Sequence, residues 1–416
     1  MWFYQLLLKL LFPAAMPGWL WKTATRGGWN RKLAERFGIY HGPPDFEPCH
    51  ATHVHAVSVG ETILALKLIR EWRAIDPSVA FVLAIGTPTG RAVAEDSALA
   101  NVRVTYVPFD FKWMMRAYFR RFEPARIILV EGEAWPNLMH LAAARKIPVS
   151  LVNARMSLRS ARGYRKFANL LRPVFSKLSL VCTQEPEDHD VWKLLGIAPE
   201  KIVCTGSLKF DPAGSSVPQK HAEFAALISA FGKSTVVLAA STHAGEEVLL
   251  ANAIDEAIPH ALPIIAPRHA ERAAEVSTAL TAAGFDVYLR SSGSLASVTT
   301  RPLLLIDTTG ELRDWTAHAD LVIIGKSFLS TGGQNPAEAI LASKPVIIGP
   351  HMENFEPLVS RLVSSDGVIR AETGSIASAI RTALDPASAA NLTHNARKLL
   401  DHHAGATRRI IALVIR

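Results

Sequence analysis

The chain has few cysteines: its 416 residues include only Cys49, Cys182 and Cys204, which lie far apart. They form no CxxC pair, and three cysteines are not the even number that a set of disulfides requires. This excludes a cysteine-rich zinc site and a disulfide-stapled scaffold, and it is typical of proteins in a reducing compartment.

Signatures of metal and triphosphate binding are also missing. The 15 histidines include no HExxH or similar zinc spacing. The stretch FGKST, residues 231–235, has Leu227 where a P-loop requires glycine, and a strand follows it where a P-loop needs a helix. The acids of DHD, residues 188–190, lie in the first turn of a predicted helix, where the helix dipole favours them without a metal. We expect no metal site and no cofactor.

Composition and charge narrow the class of protein. Hydrophobic residues make up 49% of the chain and charged residues 20%, which is typical of a packed globular protein. The length exceeds one ordinary core, so two domains are expected. The net charge of +8 favours an anionic partner: a nucleotide, a nucleic acid, a phospholipid or a phosphorylated substrate.

The first 21 residues, MWFYQLLLKLLFPAAMPGWLW, are strongly apolar but interrupted by Lys9, Pro13, Pro17 and Gly18. They lack the small-residue cleavage site of a signal peptide and are barely long enough to span a bilayer. Tryptophans among basic residues follow, a combination typical of the membrane–water interface. We predict that residues 1–36 associate with a membrane, as a monotopic anchor or a short span. Packing of this helix on the protein itself, or on a partner, is the alternative.

The rest of the chain alternates short β-branched runs with helical stretches. One series runs from HVHAVSVG, residues 53–60, to PVSLVNA, residues 148–154, and a second from STVVLAAST, residues 234–242, to KPVIIGP, residues 344–350. Such alternation predicts parallel sheets covered on both faces. Residues 208–221, rich in Pro, Gly and Ser, are the candidate linker. We therefore predict domains at 37–210 and 211–416, with the last helix either staying in the second or crossing back to the first.

Polar side chains recur where predicted strands end, which is the edge at which open α/β sheets bind ligands. Glu61 follows HAVSVG, where it is either a favourable first-turn acid behind an N-cap Ser58 or a catalytic group. Glu131 and Glu133 follow ARIILV, and two acids so close are suited either to raising a pKa or to orienting a polar partner. Other loops of this kind are NARMSLRSARGYRK, TGSLKFD, STHAGEE, PRHAER and the glycine-rich GKSFLSTGGQNPAEA.

These motifs give the chain a resemblance to a known family. HAVSVGE, EGEAWPN, NARMSLRS, GSLKFD, STHAGEE, PRHAER, IDTTGEL, GGQNPAEA and GPHMENF occur in the order in which the 3-deoxy-D-manno-octulosonic acid (Kdo) transferases carry similar motifs. RKLAERFG resembles the segment that follows the membrane anchor in that family. The resemblance covers nearly the whole chain. It implies the α/β GT-B glycosyltransferase fold, in which two doubly wound, Rossmann-like parallel-sheet domains face each other across a cleft.

The resemblance also implies an activity. These enzymes transfer Kdo from CMP-Kdo to the lipid A precursor (lipid IVA) in lipopolysaccharide biosynthesis, at the cytoplasmic face of the inner membrane. The expected partners are therefore CMP-Kdo, the lipid A precursor and an anionic lipid surface, with no nucleic acid. Inversion by direct displacement is expected, without a metal.

Site residues follow from the same resemblance, position by position. Glu61 matches the general base, and Glu131 and Lys209 match residues that stabilise the transition state. The anionic lipid acceptor is expected to meet basic residues after the fifth predicted strand, with a solvated basic face as the alternative; the candidates are Arg155, Arg159, Arg162, Arg165 and Lys166. The donor site is matched by Pro267, Arg268, Gly310, Glu311, Leu312, Asn335 and Glu338.

Two positions depart from the family pattern, because Gln334 stands where histidine is usual and Lys326 where a second glycine is usual. Two other functions stay open at this point. A GT-B enzyme with a UDP-sugar donor, either a transferase or an epimerase, has the same fold. A non-catalytic membrane-surface protein on this fold is the other, although it would be expected to lose Glu61, Arg268 or Glu338, and all three are present.

Overall fold

The computed structural model describes residues 2–25, 31–41, 50–132, 134–155, 158–211, 218–293, 300–356 and 358–416. The chain forms two units. One consists of Met1–Gly214 together with His403–Arg416, and the other of Ser215–His402. Residues 212–217, in the predicted linker, lie outside the described residues.

The first unit contains a seven-stranded sheet whose paired strands are all parallel. Its order is β3-β2-β1-β4-β5-β6-β7, and the strands are β1 (Thr52–Ala56), β2 (Phe81–Ile85), β3 (Val102–Tyr106), β4 (Arg126–Val130), β5 (Val149–Ala154), β6 (Leu180–Thr183) and β7 (Ile202–Cys204). Every residue of β1, β2 and β5 is buried, as expected of strands covered on both faces.

The helices of this unit are α1 (Trp2–Thr25), α2 (Val59–Ile75), α3 (Pro88–Asp96), α4 (Lys112–Phe122), α5 (Pro136–Ala144), α6 (Leu158–Lys166), α7 (Ala168–Phe175) and α8 (His189–Leu194). One face of the sheet packs against a core containing Tyr118, Phe122 and Trp192. The other face packs against Trp72 of α2, and this second core also contains Ile410 and Ile411, from the C-terminal end of the chain.

The second unit repeats the arrangement with a parallel sheet of order β10-β11-β9-β8-β12-β13-β14. Its strands are β8 (Thr235–Thr242), β9 (Ala261–Pro267), β10 (Asp286–Leu289), β11 (Pro302–Leu305), β12 (Leu321–Ile324), β13 (Val346–Ile348) and β14 (Ile369–Arg370). Its helices are α9 (Ala222–Ala230), α10 (Glu246–Ala257), α11 (Ala273–Ala282), α12 (Leu312–His318), α13 (Ala337–Leu341), α14 (Leu358–Ser364), α15 (Ile376–Leu384) and α16 (Pro386–Asp401). The final helix, α17 (Ala406–Ile415), belongs to the first unit. The prediction of two doubly wound parallel sheets is confirmed.

Helix α1 continues through Pro13 and Pro17 and packs on the first unit with one face. The Phe12 ring meets the rings of Phe109 and Phe111 edge-on, at 4.8 Å between centroids in each case. The Tyr4 hydroxyl donates a hydrogen bond to Asp110 Oδ2 at 2.8 Å. The opposite face of α1 stays exposed although it is apolar, and it consists of Leu6, Leu7, Leu10, Leu11 and Trp21.

The described part of the chain contains no helix with the length and apolarity of a membrane-spanning segment. The packing of α1 on the protein, which the sequence left as an alternative, is therefore present in the structure. Its exposed apolar face leaves membrane association a prediction.

Candidate active site

Glu61 lies in the first turn of α2, directly after the C-terminal end of β1. Ser58 is the N-cap residue, and its side-chain oxygen accepts a hydrogen bond from the Glu61 amide at 3.2 Å. The carboxylate accepts two bonds in return: Val57 N donates to Oε2 at 2.7 Å, and the Ser58 hydroxyl donates to Oε1 at 2.9 Å. This is close to a capping box, and it fixes the carboxylate at the sheet edge.

Glu131 lies at the same edge, because β4 is the neighbour of β1 in the sheet. Its backbone has a φ of 67°, in the left-handed region that non-glycine residues rarely adopt. Burial raises the pKa of its carboxyl group; the positive charges of Arg155 and Lys209 oppose this rise, and the negative charge of Glu61 adds to it. Strained backbone and a shifted pKa together are typical of functional sites. Glu133, the second acid of this motif, lies outside the described residues.

Asn153 joins Glu131 to a distant part of the chain. It is fully buried at the end of β5, with a φ of 55°. Its amide nitrogen donates to Glu131 Oε1 at 3.2 Å, and its amide oxygen accepts from Leu208 N at 2.8 Å. Asn153, next to Glu131 at the sheet edge, therefore also fixes the segment that carries Lys209. The sequence placed Asn153 in a polar loop but gave no sign of this bridging role.

Lys209 is held close to this group by its backbone. Its amide donates to the Ser207 hydroxyl at 3.3 Å, and Lys67 Nζ donates to Leu208 O at 2.8 Å. The Lys209 side chain reaches the surface, yet the surrounding protein displaces enough water to lower its pKa to about 8. The positive charge of Arg155 lowers this pKa further, and Glu131 opposes the shift. The three predicted catalytic residues thus lie in one electrostatically coupled group, with Arg155 as a fourth member.

The second unit has a cavity of about 220 Å³ at the C-terminal ends of its strands. Of the predicted donor-binding residues, Arg268, Leu312, Asn335 and Glu338 line it. Within the described residues, neither the Arg268 guanidinium nor the Glu338 carboxylate has a hydrogen bond or ion pair to another side chain. A cation and a carboxylate left available in one cavity suit a ligand that has both an anionic group and hydroxyl donors.

Pro267, Gly310 and Glu311 do not line this cavity. Pro267 is the last residue of β9 and directly precedes Arg268. The Glu311 carboxylate accepts a hydrogen bond from the Thr308 hydroxyl at 2.6 Å and pairs with Arg290 at 3.2 Å. In the structure the Glu311 side chain therefore stabilises its own loop, and its contact with the donor stays a prediction.

Glu246 is a residue that the sequence did not single out. It is fully buried at the start of α10, and its carboxylate accepts hydrogen bonds from the backbone amides of His243, Lys326, Ser327 and Phe328. It thereby joins the loops that follow two neighbouring strands, β8 and β12. An acidic residue in the first turn of a helix predicts an interaction with the helix dipole. Nothing in the sequence indicates that this carboxylate also accepts hydrogen bonds from a loop eighty positions away.

A larger cavity of about 1420 Å³ lies elsewhere in the first unit, beside Asn101 and Val102 at the start of the edge strand β3. Its lining extends along β3 to Arg103 and Val104 and includes none of Glu61, Glu131 and Lys209. Its charged residues are paired: Arg91 with Glu35 at 2.5 Å and Lys32 with Glu95 at 2.8 Å. The size of a cavity alone therefore does not identify the active site.

Across the described ranges, no three His, Cys, Asp or Glu side chains converge as metal ligands would.

Comparison with known proteins identifies the family. The model of the 3-deoxy-D-manno-octulosonic-acid transferase (kdotransferase) family matches residues 31–212. The 3-deoxy-D-manno-octulosonic acid transferase of Bordetella pertussis is 34% identical over 98% of this chain and 97% of its own length. The Haemophilus influenzae transferase of the same name is 31% identical over 93% of this chain and 91% of its own length.

A solved structure supports the fold. The UDP-GlcNAc 2-epimerase of Neisseria meningitidis superposes with a TM-score of 0.55 at 12% identity, covering 88% of this chain and 99% of that one. At this identity the likeness concerns the fold alone. Because the two transferases match along nearly the full length of both chains, the chain belongs to the 3-deoxy-D-manno-octulosonic acid transferase family and is a glycosyltransferase.

Proposed function

We propose that this enzyme transfers Kdo from CMP-Kdo to the lipid A precursor, lipid IVA, in lipopolysaccharide biosynthesis. The first unit takes the acceptor and the second takes the donor nucleotide. The observation that supports this most directly is the coupled group of Glu61, Glu131 and Lys209 at one sheet edge. Two acids beside a lysine of lowered pKa are suited to removing a proton and to balancing developing charge.

Glu61 is the proposed general base. Each carboxylate oxygen accepts one hydrogen bond within the protein, so each keeps a lone pair for the hydroxyl of the acceptor sugar. The direct displacement inverts the anomeric carbon: the acceptor oxygen forms the new bond while the bond to the phosphate of CMP breaks. The hydroxyl proton passes to Glu61, and CMP leaves with the bonding electron pair.

Glu131 and Lys209 are proposed to stabilise the transition state. Asn153 bonds to the Glu131 carboxylate and to the backbone of Leu208 next to Lys209, which fixes the carboxylate and the segment that carries the lysine before charge develops.

The cavity of the second unit is the proposed nucleotide site. At about 220 Å³ it is smaller than the roughly 300–1,000 Å³ of complete ligand pockets, so it would hold the nucleotide while the sugar extends outward. Glu338 is the proposed acceptor for the ribose hydroxyls, and Arg268 neutralises the phosphate. We propose that these protein groups bind the ribose and neutralise the phosphate without a metal or cofactor.

The exposed face of α1 is the proposed membrane contact, and we place the enzyme at the cytoplasmic face of the inner membrane. The first turn of α4 adjoins α1 through Phe111 and adds exposed Trp113. Exposed basic side chains after β5 are proposed to meet the phosphates of the acceptor; those described are Arg155, Arg162, Arg165 and Lys166. The Arg159 side chain lies outside the described residues.

One assay tests this function. The enzyme is incubated with lipid IVA and CMP-Kdo, and the products are measured by mass spectrometry. We expect mass steps of one Kdo residue, and thermal stabilisation of the protein by CMP but not by UDP. Stabilisation by UDP, or an acceptor of unchanged mass, would contradict the proposal.

A further inference from the structure

Lys326 has an unusual backbone conformation for its residue type. It follows β12 and Gly325, and its φ of 55° lies in the left-handed region. Its amide donates to Glu246 Oε2 at 2.6 Å and its carbonyl accepts from Gly333 N at 3.0 Å. A non-glycine residue held this way costs roughly 1–3 kcal/mol, which glycine would avoid. The loop uses only the backbone of this residue, so the lysine side chain is not explained by the fold.

The side chain of Lys326 is half-buried, and its ammonium has no hydrogen bond or ion pair to any described residue. Its Cε lies 3.8 Å from the position that a Cβ on Gly332 would occupy, so the lysine runs along the glycine-rich loop. Among the described residues no acid forms an ion pair with it: the Glu246 carboxylate is bonded to backbone amides, and Glu353 Oε2 accepts from Gly332 N at 2.6 Å. A half-buried cation without a partner favours an anion supplied by a ligand.

The surroundings of Lys326 belong to the donor site. Gln334 lines the cavity, and its Nε2 lies 3.3 Å from Nε2 of His243. The Lys326 carbonyl accepts from the amide of Gly333, the residue directly before Gln334. Burial lowers the pKa of His243, and the positive charge of Lys326 lowers it further. Lys326 itself does not line the cavity. It follows the lining residue Ile324 by two positions, and its carbonyl is bonded to the residue before the lining residue Gln334, so its backbone adjoins the cavity.

The proposed donor carries two anionic groups, the phosphate and the sugar carboxylate, and the carboxylate is attached to the same carbon as the phosphate oxygen. Arg268, in the cavity lining, is placed for the phosphate. We infer that Lys326 binds the carboxylate of the Kdo residue in the donor, and thereby selects an acidic sugar nucleotide. This inference rests on the proposed function.

The test compares two ligands and three variants. Lys326→Gly removes the ammonium and relieves the backbone strain, so the variant is expected to fold at least as well as the parent. We expect it to bind CMP within twofold of the parent but CMP-Kdo about tenfold to a hundredfold more weakly, the loss of one charge-assisted hydrogen bond. Lys326→Arg should keep most of the affinity for CMP-Kdo. Arg268→Ala, by contrast, should weaken both ligands.

Three outcomes would overturn the inference, and they are distinguishable. If Lys326→Gly binds CMP-Kdo as tightly as the parent, Lys326 does not contact the sugar, and the proposed function stands. If it loses CMP and CMP-Kdo equally, the lysine acts on the nucleotide and the carboxylate assignment is wrong. If the parent itself does not bind CMP-Kdo, both the inference and the proposed function fail.

Discussion

At the scale of single residues, the structure confirms one of the two roles that the sequence offered for Glu61: it is a first-turn acid of α2 behind an N-cap serine. Glu61 also lies in the electrostatically coupled group with Glu131, Arg155 and Lys209, which supports the catalytic role proposed for it. The sequence offered both roles because each depends on neighbours in the chain or on a motif. It gave no sign of how the group is held together, since the link from Asn153 to Leu208 joins residues that are far apart in sequence.

Substitution of Glu61 separates the two roles. We expect Glu61→Gln to lower the transfer rate at least a hundredfold, because an amide cannot accept the hydroxyl proton and general bases contribute roughly 10²–10⁴-fold. CMP affinity and the thermal midpoint should change little. Ser58→Ala is the matched control: it removes the N-cap, worth about 1 kcal/mol, but leaves the base in place. If Glu61→Gln keeps near-normal turnover, the residue serves only the helix start.

At the scale of elements, strand β1 carries two buried histidines toward α4. His53 Nδ1 lies 2.7 Å from the Tyr118 hydroxyl, and His55 Nε2 lies 3.3 Å from the same oxygen. Burial lowers the pKa of both rings, that of His55 to about 4. HVHAV reads as a strand in the sequence, but the tyrosine that both rings share lies on a separate helix and could not be predicted.

This arrangement makes stability depend on pH. Because the folded pKa of His55 is below the unfolded value of 6.5, the unfolded chain binds more protons between pH 6.5 and 4. The stabilising contribution is therefore complete above pH 6.5 and declines as the pH falls toward 4, by roughly 3 kcal/mol over the full range. Urea unfolding of His55→Gln across this range should show a shallower decline than the parent. An unchanged decline, equal to that of the exposed-residue control His140→Gln, would refute the assignment.

At the scale of the whole molecule, the alternation of apolar runs and helices was enough to predict two parallel sheets. Local periodicity determines strands and helices, and parallel pairing follows from the crossovers. Composition was less informative at the predicted linker. Residues 208–211 belong to the predicted linker that is rich in Pro, Gly and Ser. Their backbone is nevertheless hydrogen-bonded to Asn153 and Lys67 of the first unit. This is why Lys209 is fixed in place.

The proposed membrane attachment concerns the whole molecule, and it can be tested through α1. We expect Leu10→Gln with Leu11→Gln, on the exposed face, to weaken binding to anionic vesicles at least tenfold, since an inserted leucine contributes about 1.5–3 kcal/mol. Thermal stability and CMP affinity should be unchanged. Phe12→Ala, on the packed face, should instead lower the thermal midpoint by a few degrees. Equal vesicle binding by the parent and the double variant would show that this face does not contact lipid.

The return of α17 to the first unit determines the order in which the chain can complete its fold. Asp211 accepts hydrogen bonds from Gly405 N at 2.9 Å and Thr407 N at 2.6 Å, and Ile410 and Ile411 fill the core behind α2. During synthesis the second unit, Ser215–His402, leaves the ribosome whole before these residues appear. The nascent chain therefore carries an incomplete first unit until α17 has been made, although most of that unit precedes the second unit in the sequence.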